Sequence, residues 1–182
     1  MSSARKPARR SPRAAANGAV AVVVRAQGWR RAVPGATALC RRAVTAALHE
    51  AGVPKPGEIA VVLADDRLVR RLNRDWRGKD APTNVLAFPS DSPGETPAAA
   101  PALLGDVVVA LGTMRREARA EAKALAHHLA HLVVHGTLHL LGHDHQTDRQ
   151  AARMEALEAA ALARLGIADP YRDAHTKAGL RR

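Results

Sequence analysis

The chain has 182 residues, a formal net charge of +11 at pH 7, one cysteine and four aromatics (Trp29, Trp76, Phe88, Tyr171). That length suits one domain with a real core. The lone Cys40 excludes an internal disulfide framework and fits a reducing cytosol, and the longest apolar run near the N-terminus, Ala19 to Val24, is too short to span a bilayer.

Residues 1–17, rich in Ser, Pro, Ala and Arg, read as a disordered basic arm. No acidic residue precedes Glu50. An excess of Lys and Arg points to a polyanionic partner, since basic groups gain affinity by releasing counterions from phosphates. For the arm itself compositional drift is the better account, with an organellar transit peptide, which shares the Arg-rich, acid-poor composition, as the minor alternative. With so few aromatics, base stacking must be sparse.

Order is expected from Gly18, where AVAVVVRAQ reads as a first strand. Pro34 to Glu50 carries apolar residues at helical spacing and stops at Gly52. After the turn GVPKPG, Glu58 to Ala64 is a second strand, and Asp65 or Asp66 caps a helix whose buried stripe is Leu68, Val69 and Leu72. NVLAF forms a short strand ended by Pro89. PSDSPGETPAAAPA, from Pro89 to Ala102, is a surface loop. Leu104 to Leu111 is the fourth strand, and one long helix is expected from about Thr113 to Leu141. Asp148 is expected to cap a last helix running to Leu165 and stopped by Gly166. A frayed, basic tail follows over 167–182. Strands alternating with helices give a single-domain α/β fold, with the helices mainly on one face of a four-stranded sheet. Strand order does not follow from this pattern.

Seven of the nine histidines fall between His127 and His145, in a stretch otherwise mostly apolar. In HGTLHLLGHDH, His135 and His139 are four apart and so share a helix face, about 6 Å apart along the axis. Gly142 can take the left-handed conformation that ends a helix and turns His145 back towards them. Three imidazoles at about 2.0–2.1 Å, with a fourth position left for water, are the pattern of a catalytic zinc, one per chain. His127 and His131 continue the four-residue spacing. Each step rotates about 40° off the face, which makes them core or surface histidines, and His128 and His143 are placed in the same class. Asp144 either orients a ligand imidazole or caps the next helix. The spacing also fits a zinc protease, but the glutamate such an enzyme needs after its first histidine is replaced by Gly136.

HGTLHLLGHDH, preceded by NRDWRGKDAPTNVLAFP from Asn73 and LGDVVVA from Leu104, resembles the YbeY family of bacterial endoribonucleases over roughly residues 18–166. The resemblance implies a mixed four-stranded sheet and a metal on His135, His139 and His145. It further implies zinc-dependent cleavage of single-stranded RNA in the cytoplasm, in small-subunit ribosomal RNA 3′-end maturation and ribosome quality control. Arg77 matches the family arginine beside the metal cavity, and Trp76 takes the aromatic place before it. The chain departs from the pattern at Asn84 and Ala87, where many members have Asp and Ser, and at His143, commonly Tyr. Two other classes stay open on the residues alone: a non-catalytic RNA-binding or ribosome-assembly module, and a metalloprotease drawing its base from elsewhere.

Overall fold

A computed structural model describes residues 20–53, 57–90 and 103–172. The arm over 1–17, most of the loop before the fourth strand, the middle of the GVPKPG turn and the end of the tail lie outside the described residues. The elements run β1 (Val20–Val24), α1 (Gly28–Ala32), α2 (Ala36–Glu50), β2 (Glu58–Ala64), α3 (Asp66–Arg77), β3 (Val85–Pro89), β4 (Leu103–Ala110), α4 (Leu111–Ala120), α5 (Leu125–Leu140) and α6 (Asp148–Arg164).

The four strands form one mixed sheet in the order β1-β2-β4-β3. β1 and β2, and β2 and β4, are parallel; β3 runs antiparallel along β4 at the edge. Alternation along each strand sorts its side chains between the two faces. Ile59, Val61 and Leu63 of β2 and Val107 and Val109 of β4 enter the large core, which α2, α5 and α6 cover with Val44, Leu129, Val133, Leu138, Met154 and Leu162. Ala64, Leu86, Val108 and Ala110 face the other way, onto Val69 and Leu72 of α3. One helix on one side and the rest on the other is the expected, unequal covering.

Four local features differ from the expectation. The expected long helix is two, α4 and α5, separated where Ala122 adopts a φ of 51° and the Lys123 N–H reaches back to the Ala118 carbonyl. A left-handed alanine costs roughly 1–2 kcal/mol, and no glycine there signals the break. The cap of α6 is Thr147, not Asp148. Its hydroxyl accepts from the Gln150 N–H while the Gln150 side chain accepts from the Thr147 N–H, a reciprocal capping box that leaves Asp148 in the first turn. The tail is not frayed through residue 172: the Ile167 N–H bonds the Leu162 carbonyl, Ile167 packs on the core, and Tyr171 reaches Glu158. α1 was not expected, being too short for a periodic stripe. It buries Trp29, whose indole N–H donates to the Ala64 carbonyl at 2.8 Å.

α5 is seated on the sheet at a glycine. A Cβ on Gly136 would stand 2.6 Å from Cγ1 of the buried Val107, so the helix approaches β4 only because this residue has no side chain. Gly136→Ala is therefore expected to destabilise the protein by roughly 1–3 kcal/mol, the overpacking cost outweighing the helix propensity gained; a shift in denaturation midpoint measures it. Cys40 is fully buried and its thiol is pushed up to about 12 by that burial. At pH 8 a disulfide reagent should leave it unlabelled until denaturant unfolds the chain.

Candidate metal centre

His135 and His139 stand one turn apart near the C-terminal end of α5. That helix stops at Leu141, Gly142 takes a φ of 84°, and the His143 N–H closes on the Leu138 carbonyl at 3.0 Å. This is a Schellman-type reversal, available to glycine at no steric cost. Asp144 completes the turn: its two carboxylate oxygens accept from the His145 backbone N–H at 2.8 Å and the Gln146 amide at 2.6 Å. It thus sets the position of His145 through the backbone and does not cap α6.

The three rings converge. The Nε2 atoms of His135 and His139 are 3.1 Å apart, and one nitrogen of each of His135, His139 and His145 lies within 4.8 Å of the others. A tetrahedral zinc with bonds of about 2.0–2.1 Å sets its ligand nitrogens roughly 3.3 Å apart. An all-imidazole set with no thiol fits zinc or another borderline cation, and the buried Cys40 belongs to the core instead. His135 and His139 are half-buried and His145 is exposed, which leaves one side of the cluster open to solvent. Burial, then the neighbouring His135 and His145, push His139 below the ordinary imidazole range. That favours the neutral form a cation requires.

The open side is a cavity of about 460 Å³. Arg77, the last residue of α3, lies on its wall with His135, His139 and His145, as do Asn84 and Ala87 of the β3 region. Asn84 has a structural partner: its amide donates to Glu117 Oε2 at 3.0 Å, and His128 Nε2 meets the same oxygen at 2.9 Å. Gly136 also lines this cavity, and packing against Val107 is why no acid stands there.

Sequence reasoning missed Glu158. This carboxylate is 1% exposed, and its Oε1 sits 2.7 Å from His135 Nδ1. His131 Nε2 at 2.8 Å and the Tyr171 hydroxyl take Oε2. Burial alone would raise this carboxyl and is the largest single influence, but hydrogen bonds from His131, His135 and Tyr171 prevail and hold it at about 2. An ionised carboxylate only accepts, so His135 donates from Nδ1 and turns the lone pair of Nε2 towards the cluster. A signal was available: Glu158 lies four residues from Met154 and from Leu162, on the buried stripe of α6. A charge on an apolar stripe calls for a partner. His131 does turn away from the cluster, as its rotation requires, and towards Glu158.

The family model described as Endoribonuclease YbeY matches residues 27–166. Among similar proteins, the endoribonuclease YbeY of Paramagnetospirillum magneticum is 52% identical, covering 84% of this chain and 94% of that protein. The endoribonuclease YbeY of Bradyrhizobium diazoefficiens is 51% identical, covering 84% of each. Among solved structures, the solution structure of TM1509 from Thermotoga maritima aligns with a TM-score of 0.52 at 19% identity, over 81% of this chain and 91% of that one, a likeness of fold.

A ligand that binds only the folded state stabilises it by mass action. Zinc at a hundred times its dissociation constant should raise the unfolding free energy by about 2.7 kcal/mol, an increment that His139→Ala abolishes; thermal unfolding with and without zinc measures both.

Proposed function

This chain belongs to the endoribonuclease YbeY family, and on that premise we propose that it is a metal-dependent hydrolase cutting single-stranded RNA, with zinc as the ion. The observation that carries this reading is the convergence of three imidazoles on the open cavity that Arg77 also lines.

In this reading His135, His139 and His145 hold one zinc per chain, whose bound state supplies Lewis acidity and acidifies water towards neutral pH. The chain's own groups do the rest. Glu158 keeps the proton of His135 on Nδ1, away from the ligand nitrogen. Arg77 pairs with the non-bridging oxygens of the scissile phosphate, where its planar fork opposes charge growing in the transition state. Gly136 offers no general base, which sets the chain apart from a zinc protease.

The substrate is ribosomal RNA of the small subunit, in 3′-end maturation and ribosome quality control in the cytoplasm. The net charge of +11 supports a polyanionic partner. No described helix is long and apolar enough to cross a membrane. The catalytic unit spans residues 18–166, with the basic arm at 1–17 and the basic tail at 167–182 flanking it.

The test compares wild type, His139→Ala and Arg77→Ala on a single-stranded RNA, with metal quantified in each preparation. His139→Ala should abolish cutting together with metal. Arg77→Ala should keep its metal and lose roughly 10²-fold in kcat. Equal cutting by all three would assign the signal to a contaminant and leave a non-catalytic RNA-binding module. Product ends and a 2′-deoxy substrate then identify the nucleophile: a cyclic phosphate, with cutting lost at a 2′-deoxy position, means the 2′-hydroxyl attacked, and cutting that survives at that position means water did.

A further inference from the structure

The carboxylate behind His135 is held in part by a residue beyond the stretch that the family model matches. Glu158 Oε1 faces His135 Nδ1 at 2.7 Å, while Oε2 receives His131 Nε2 at 2.8 Å and the Tyr171 hydroxyl. Tyr171 follows α6, beyond residue 166, where the family match ends. Its ring meets that of His131 edge-on, with centroids 5.7 Å apart and planes at 89°, and its hydroxyl lies 3.1 Å from His131 Nε2. Two of the three groups on Glu158 come from α5 and the third from the segment after α6.

We propose that Glu158 is a positioning residue for the metal centre and that Tyr171, with His131, is the clamp that fixes it, so that this chain's C-terminal segment helps set the affinity of the imidazole cluster for its cation. The inference rests on the metal reading given above. The terminal torsion of a glutamate is broad, so a carboxylate with one partner can rotate that partner out of line. Two donors on Oε2 fix the carboxylate plane, and Oε1 then stays on His135 Nδ1. Without that acceptor the imidazole is free to move its proton to Nε2, where it blocks the lone pair a cation needs. A merely structural brace would cost stability and leave that tautomer unchanged.

The test uses full-length protein, and zinc is the probe. Glu158→Gln keeps the shape but cannot accept from all three partners, and Tyr171→Phe keeps the ring and removes only its donor. Zinc affinity is read by competition with a chromophoric chelator, the tautomer of His135 by long-range ¹⁵N–¹H correlation in the zinc-free protein, and folding by the unfolding midpoint. Glu158→Gln should weaken zinc binding roughly 10–100-fold and shift His135 towards the Nε2–H form. Tyr171→Phe should weaken it about 2–10-fold, the worth of one hydrogen bond, and shift the tautomer in the same direction. If Glu158→Gln does not fold, Tyr171→Phe carries the comparison. Zinc affinity unchanged, or weakened with the His135 tautomer intact, would overturn the proposal. Wild type that binds zinc and does not cut RNA would defeat the nuclease reading alone, since none of the three readouts here involves RNA.

Discussion

The close approach of α5 to β4 at Gly136 governs what the rest of the molecule can do. Leu129, Ala130, Val133, Val134 and Leu138 are buried on the same helix, so it is enclosed by the sheet and by α2 and α6 along most of its circumference. One stripe remains for polar chemistry, and it carries His131, His135 and His139. Helical pitch drifts that stripe from one turn to the next. His131 faces Glu158 and Tyr171, His135 faces Glu158 with one nitrogen and the cluster with the other, and His139 faces the cluster. A single helix thereby supplies both the cation ligands and their support.

Charge is layered to match. The acid lies deepest, ionised because three donors surround it, and the imidazoles lie between it and the open cavity. Removing one partner from such a buried group leaves the others exposed to its desolvation cost. Arg77 also lines the cavity, so positive charge borders it from α3 while the acid stays behind the ligands.

The strands, the metal motif and the glycine that turns His145 inward were legible because each depends on local spacing. Short apolar runs rich in β-branched residues mark β2 and β4, a four-residue step pairs His135 with His139, and Gly142 is the left-handed residue the turn requires. The remainder depends on what packs where. The order β1-β2-β4-β3 is set by tertiary contact. Ala122 breaks the long helical pattern without a breaker residue, and Thr147 outcompetes Asp148 as cap through a reciprocal bond with Gln150. Glu158 reads as an ordinary helix acid until the burial of its neighbours is considered.

Asn84 is held by a carboxylate that serves a second partner. Its amide donates to a carboxylate, Glu117, that also meets the buried His128. An acid at position 84 would set two like charges against each other. The neutral amide at position 84 thus lets one carboxylate serve both a strand-edge residue and a buried imidazole of α5, tying β3, α4 and α5 together behind the cavity wall.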